Sequence, residues 1–124
     1  MNMSICIYEH ESYRGFLKDF FHQKQKANKS YSLRAFARDL GLTPQTLSLT
    51  LKNKRRMSLE SASRITKKLQ MPLCEAAYFL DLVIFCDIAE EAAKEIVAQR
   101  IKNAQHNYFE KNGTQVFKLH RASE

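Results

Sequence analysis

Gly41 and Pro44 stand three positions apart between two runs whose apolar residues recur at helical spacing. That arrangement leaves the chain few options. Leu33, Phe36, Ala37 and Leu40 fall at i, i+3, i+4 and i+7, one face of a short helix. Gly41 follows the last of them, where a helix needs a residue able to turn left-handed. Thr43 then offers a hydroxyl to cap a second helix, and Pro44 fits its first turn, where a missing N–H costs nothing. Ala37 is small enough to let that second helix cross the first closely. The spacing predicts two short helices around a tight turn over residues 32–52.

Within residues 44–52, Leu47, Leu49 and Leu51 alternate with Ser48 and Thr50, a strand-like period of two. A lone strand has nothing to pair with here, whereas Thr43-Pro44 specifically starts a helix. Leu47 and Leu51 then face the core, with Thr50 beside them and Leu49 partly exposed. A third helix follows a basic loop. Ser58 caps it, Glu60 suits its first turn, and Lys67-Lys68 suit its last. Met57 and Ala62 stand at the positions of a hydrophobic staple, and Leu59, Ala62, Ile65 and Leu69 are its expected buried stripe. Pro72 separates it from what comes next. This is the arithmetic of a helix-turn-helix, whose second helix lies in the DNA major groove.

Around this unit the chain also reads as helical. Tyr13, Phe16, Leu17, Phe20 and Phe21 form an apolar stripe with Ser12 as N-cap, and residues 23–30 follow as a polar, exposed linker. Residues 73–105 are one long helix or two broken near Asp87, with Asp87 and Glu90 as a capping box. Ala92, Ala93, Ile96, Val97 and Ile101 continue an apolar stripe. Residues 73–88 are apolar on nearly every side, so they are either the centre of the fold or an oligomer contact. On the second option Phe79, Leu82, Val83 and Phe85 are the candidate homodimer contacts, within a dimerisation segment 73–105. Residues 106–124 carry an Asn-Gly turn signal between apolar pairs, a marginal hairpin or a tail. The expected fold is all-α with five or six helices: one domain over residues 1–105 and a short tail.

Charge is distributed unevenly. Residues 1–72 hold 14 Lys/Arg against 5 Asp/Glu, while residues 73–105 are net −3, within an overall +7. A basic front half containing the helix-turn-helix points to nucleic acid as partner. Cys6, Cys74 and Cys86 form no CxxC pair, and the four histidines show no ligand spacing, so no metal, disulfide or other cofactor is indicated. Cys74 and Cys86 lie in an apolar run and are expected to be buried. A cytoplasmic protein is expected, since no basic-then-apolar leader opens the chain and its most apolar run is too short to span a bilayer. Nothing resembles a phosphate loop, nucleophile elbow or catalytic carboxylate pair, so an enzyme is not expected, nor is a small-molecule ligand.

Ala37, Gly41 and Leu47 have the spacing of the phage-repressor (Cro/Xre-like) helix-turn-helix, and Asn53-Lys54-Arg55 resembles the Asn-Gly-Lys loop that follows the recognition helix there. Tyr13-Arg14-x-Phe16-Leu17-x-Asp19, Tyr31-Ser32-x-Arg34-x-Phe36-Ala37-Arg38, Lys54-Arg55 and Ala77-x-Phe79 look like a bacterial family of presumptive transcriptional regulators. Members of that family usually carry a further C-terminal domain. The resemblance implies a lambda-repressor-like fold and places the base-reading positions on Thr43, Gln45, Thr46, Ser48, Leu49 and Lys52. Gln suits a bidentate contact to adenine, Ser and Thr are promiscuous, and Leu49 can meet a thymine methyl. Arg34, Lys54, Arg55, Arg56 and the capped helix start at Ser58 are the expected phosphate contacts. The implied function is a sequence-specific double-stranded DNA-binding transcriptional regulator. Its rival is a protein-interaction module on the same scaffold, an anti-regulator or assembly adaptor, for which the uncharged second helix and Leu49 argue. RNA binding ranks below both, because the aromatics are patterned as core.

Overall fold

Four helix starts in the computed structural model, which describes residues 5–112, are closed by Ser or Thr side chains, while the helix that follows Pro72 starts with no side-chain cap. Six α-helices follow a 3₁₀ turn at Ile7–Glu9: α1 Tyr13–Ala27, α2 Leu33–Leu40, α3 Pro44–Leu51, α4 Leu59–Lys68, α5 Leu73–Asp87 and α6 Glu91–Asn112. Among the described residues there is no strand. The side-chain oxygens of Ser12, Ser32, Thr43 and Ser58 each accept from the backbone N–H three residues on, at 3.0–3.2 Å. Each such cap satisfies an N–H that the helix itself leaves unpaired.

Three helices end in the same way. At α2 the Leu42 N–H reaches the Ala37 carbonyl (2.9 Å) while Gly41 takes φ +80°. At α3 the Lys54 N–H reaches Leu49 (2.9 Å) around Asn53 at φ +61°. At α4 the Met71 N–H reaches Thr66 (3.0 Å) around Gln70 at φ +55°. These are Schellman closures, and only the first uses the residue best suited to the left-handed region.

The core gathers Tyr13, Phe16 and Leu17 of α1, Phe36, Ala37 and Leu40 of α2, Leu47 and Thr50 of α3, and Ala62 and Ile65 of α4. Tyr78, Phe79, Leu82 and Val83 of α5 complete it, with Val97, Ile101 and Phe109 of α6 behind them. Phe79 meets Phe16 at 6.0 Å and Tyr13 at 6.4 Å between ring centroids, both edge-on. Phe36 stacks between Phe20 and Phe21. Each large side chain removed from water contributes about 1.5–3 kcal/mol, so the four buried side chains of α5 make it a main contributor to the core. It packs against α1, α4, α6 and the 3₁₀ turn. Tyr78 Oη donates to the His10 carbonyl at 2.6 Å, and Gln105 Nε2 donates to the Tyr8 carbonyl and to Tyr78 Oη. The turn is thereby held between α5 and α6. His10 in turn lies 2.8 Å from Asp19 of α1.

Several expectations need correction. Phe79, Leu82 and Val83 lie inside the single chain and Phe85 is half-buried. The chain's own helices therefore cover Phe79, Leu82 and Val83, which offer no dimer face, while Phe85 keeps part of its ring exposed and Leu73 stands open at the start of α5. The segment 73–105 is two helices: Asp87 ends α5, and it is Glu90 whose side chain accepts from the Ala93 N–H at 2.8 Å. α1 runs on to Ala27, absorbing most of the expected linker, because Gln and Lys are good helix formers and Lys24 and Lys26 suit its C-terminal end. Leu59 and Ile96 are 52% and 62% exposed, so neither belongs to a buried stripe; Thr66 takes the inward place on α4. Cys74 and Cys86 are exposed, on the outer side of α5. Residues 106–112 continue α6 instead of turning into a hairpin, and residues 113–124 lie outside the described part.

Candidate nucleic-acid interface

α3 has two faces of different chemistry. Leu47 and Thr50 are fully buried and Leu51 half-buried, pinning one side of the helix to the core. Gln45, Ser48, Leu49 and Lys52 recur at i, i+3, i+4 and i+7 on the other side. Gln45 and Lys52 are exposed, while Ser48 and Leu49 are half-buried. At the helix start Thr43 is exposed, but its hydroxyl is engaged twice: it accepts the Thr46 N–H and donates to Thr46 Oγ1 at 2.9 Å. Thr46 keeps its own hydroxyl proton for another partner.

Beside this face lies a cleft of about 60 Å³ lined by Leu42, Thr46, Thr50, Arg55, Arg56, Met57, Ser58 and Ser61. The fold thus brings Thr46, expected to read bases, together with Arg55, Arg56 and Ser58, expected to hold phosphate. Arg34 and Lys54 are exposed but do not line the cleft. Arg56 is not free of charge partners: its Nε lies 3.6 Å from Asp87 Oδ1 at the end of α5.

The turn between α2 and α3 is tight on both sides. A Cβ placed on Gly41 would meet Arg64 Cδ at 2.9 Å, and Arg64 Nη1 donates to the Gly41 carbonyl at 3.4 Å. The loop after α3 is held from α1. Arg14 Nε donates to the Thr50 carbonyl at 2.7 Å and Arg14 Nη2 to the Arg55 carbonyl at 3.3 Å. Next to it, the Met57 N–H donates to Tyr13 Oη at 3.3 Å. Burial raises the Tyr13 phenol above its ordinary pKa, with the neighbouring Arg14 charge opposing that shift, so the hydroxyl stays neutral as an acceptor.

Arg14 and Asp87 contact this loop and its α3 end and Asn53 turns it left-handed, and sequence reasoning singles out none of them for that. Two of them carry a signal. Arg14 stands in the first turn of α1 and Asp87 in the last turn of α5, each at the helix end whose dipole repels it. A charge placed against its own helix implies a partner elsewhere, although the pattern does not say where.

No helix among the described residues is long and apolar enough to cross a membrane, and none of their His, Cys, Asp and Glu side chains cluster in a group that could hold a metal. Comparison with protein-family models, with curated proteins and with solved structures gives no match to this chain.

Proposed function

We propose that this chain is a sequence-specific double-stranded DNA-binding transcriptional regulator of the Cro/Xre-like helix-turn-helix kind, acting in the cytoplasm and binding as a homodimer. The observation that carries the reading is the outward stripe of α3, Gln45, Ser48, Leu49 and Lys52, bordered by the cationic loop Lys54-Arg55-Arg56. An outward polar helix supplies groups for base edges, and the adjoining cations neutralise phosphates on either side of a groove. The excess of Lys and Arg in residues 1–72 supports the same partner.

Binding to random and selected duplexes over a salt series tests this. A log–log slope of about −0.9 for each phosphate neutralised is expected. A slope near zero, or no binding at low salt, overturns the reading. A second reading, a protein-interaction module, draws on one observation: Pro44–Leu51 contains no charged residue and presents Leu49 half-exposed. Absence of duplex binding together with retained folding favours that second reading.

A further inference from the structure

Arg14 does an unusual thing for a basic residue in a strongly basic half of the chain: it spends its guanidinium on backbone. Nε and Nη2 reach the carbonyls of Thr50, in the last turn of α3, and Arg55, in the loop beyond it. The side chain is half-buried, and its guanidinium carbon lies 4.7 Å from the centroid of the Tyr13 ring. Tyr13 itself takes the Met57 N–H. Two consecutive residues at the start of α1 therefore hold the segment that leaves α3 at both of its ends. The electrostatics agree. Arg14 sits unfavourably at the positive end of α1, and is compensated at the negative end of α3, where the Thr50 carbonyl accepts both the Asn53 N–H (3.1 Å) and Arg14 Nε.

We propose that Arg14 is the positioning residue of the interface, fixing the C-terminal end of α3 relative to the basic loop so that Lys52 and Arg55 meet phosphates together. The inference rests on the duplex-DNA reading above. The link spans the turn at Asn53. Its left-handed turn at φ +61° is adopted by a residue with a side chain, and only the Asn53 and Lys54 N–H groups tie the turn back to α3. A planar fork that bridges both sides of the turn restrains it from outside.

The test uses the full chain with Arg14→Met and Arg14→Lys, first without DNA and then with it. In Arg14→Met, amide exchange at Asn53 and Lys54 is expected to quicken while that of Leu82 and Val83 in α5 stays as in the parent. Equal acceleration at both places would mean general destabilisation and overturn the proposal. On random duplex, Arg14→Met is expected to weaken binding about tenfold and to flatten the log–log salt slope by about 0.9 for each phosphate no longer neutralised. Its effect is expected to be strongly less than additive with Arg55→Ala, because Arg14 acts through the loop that carries Arg55. Additive losses would make Arg14 a phosphate contact in its own right and overturn the positioning role. Arg14→Lys retains charge but not the fork, so an intermediate loss is expected, and wild-type behaviour would overturn the proposal. It also carries the cycle should Arg14→Met not fold. If the parent chain fails to bind duplex, the DNA reading falls and this inference with it; if the parent binds and the cycle is additive, only this inference falls.

Discussion

Gln45 is the exposed side chain on α3 best able to distinguish one base from another, since its amide both donates and accepts. Gln45→Ala is expected to weaken a selected operator by about 1–3 kcal/mol and leave random duplex nearly unchanged. Competition titration of the two duplexes measures both, and a neutral result on the operator would displace the proposed register. Asp87 behaves oppositely. It holds Arg56 at 3.6 Å, and both side chains are substantially exposed, so the pair is worth only about 0–1 kcal/mol. Asp87→Asn frees Arg56 for phosphate and relieves the α5 dipole. Affinity for random duplex should rise by up to about fivefold, with thermal stability held or slightly raised. Weaker binding would mean that Arg56 needs Asp87 to be placed.

At the level of elements, caps and closures were the most legible part of the chain. Ser12, Thr43, Ser58 and Gly41 each do what their types and spacing suggest, because a cap involves only residues three or four positions apart. The closures at Asn53 and Gln70 were not legible as left-handed, since neither type announces that conformation as glycine does. Gly41→Ala is expected to lower stability by about 1–2 kcal/mol from backbone strain alone, with displacement of Arg64 adding to it. Gln70→Gly relieves the same kind of strain at the end of α4 and should raise stability by up to about 1 kcal/mol. Chemical denaturation midpoints at constant slope decide both, and a stabilising Gly41→Ala would contradict the tight turn described above.

For the molecule as a whole, α5 decides stability and bears on assembly. Phe79→Ala leaves a cavity among Tyr13 and Phe16 and is expected to cost about 3–5 kcal/mol, without changing the association state, because Phe79 faces inward. Sedimentation of the parent and the variant separates the two effects. One recognition unit covers few base pairs, so two copies are expected on a palindromic site, meeting through a surface other than Phe79, Leu82 and Val83. A 14.5 kDa species that stays single on such DNA would refute the dimer. All five tyrosines have raised pKa values: burial leads at Tyr8, Tyr13, Tyr31 and Tyr78, and the hydrogen bond with Cys6 leads at Tyr108. The folded chain therefore keeps phenol protons that the unfolded chain releases from the ordinary value of 10.0 upward. Linkage then makes stability constant with respect to these groups below pH 10 and falling as pH rises beyond it. Thermal midpoints between pH 8 and 11 check this, and no decline above pH 10 would contradict it.

By itself the sequence determined what is decided within a few residues: helical periods, where α2 stops and α3 starts, and which side of α3 is polar. Local hydrogen bonding and the 3.6-residue period carry that information, and a cap needs no distant partner. Only the tertiary structure decided what covers an apolar helix. α5 reads equally as core or as interface until the 3₁₀ turn, α1, α4 and α6 are seen around it, and Leu59, Ile96 and Cys74 point outward despite their types. It also decided where the misplaced charges go, since Arg14 finds the Thr50 carbonyl 36 residues away. Such pairings depend on how helices pack against one another, and packing is a property of shapes brought together in space, to which spacing along the chain is blind.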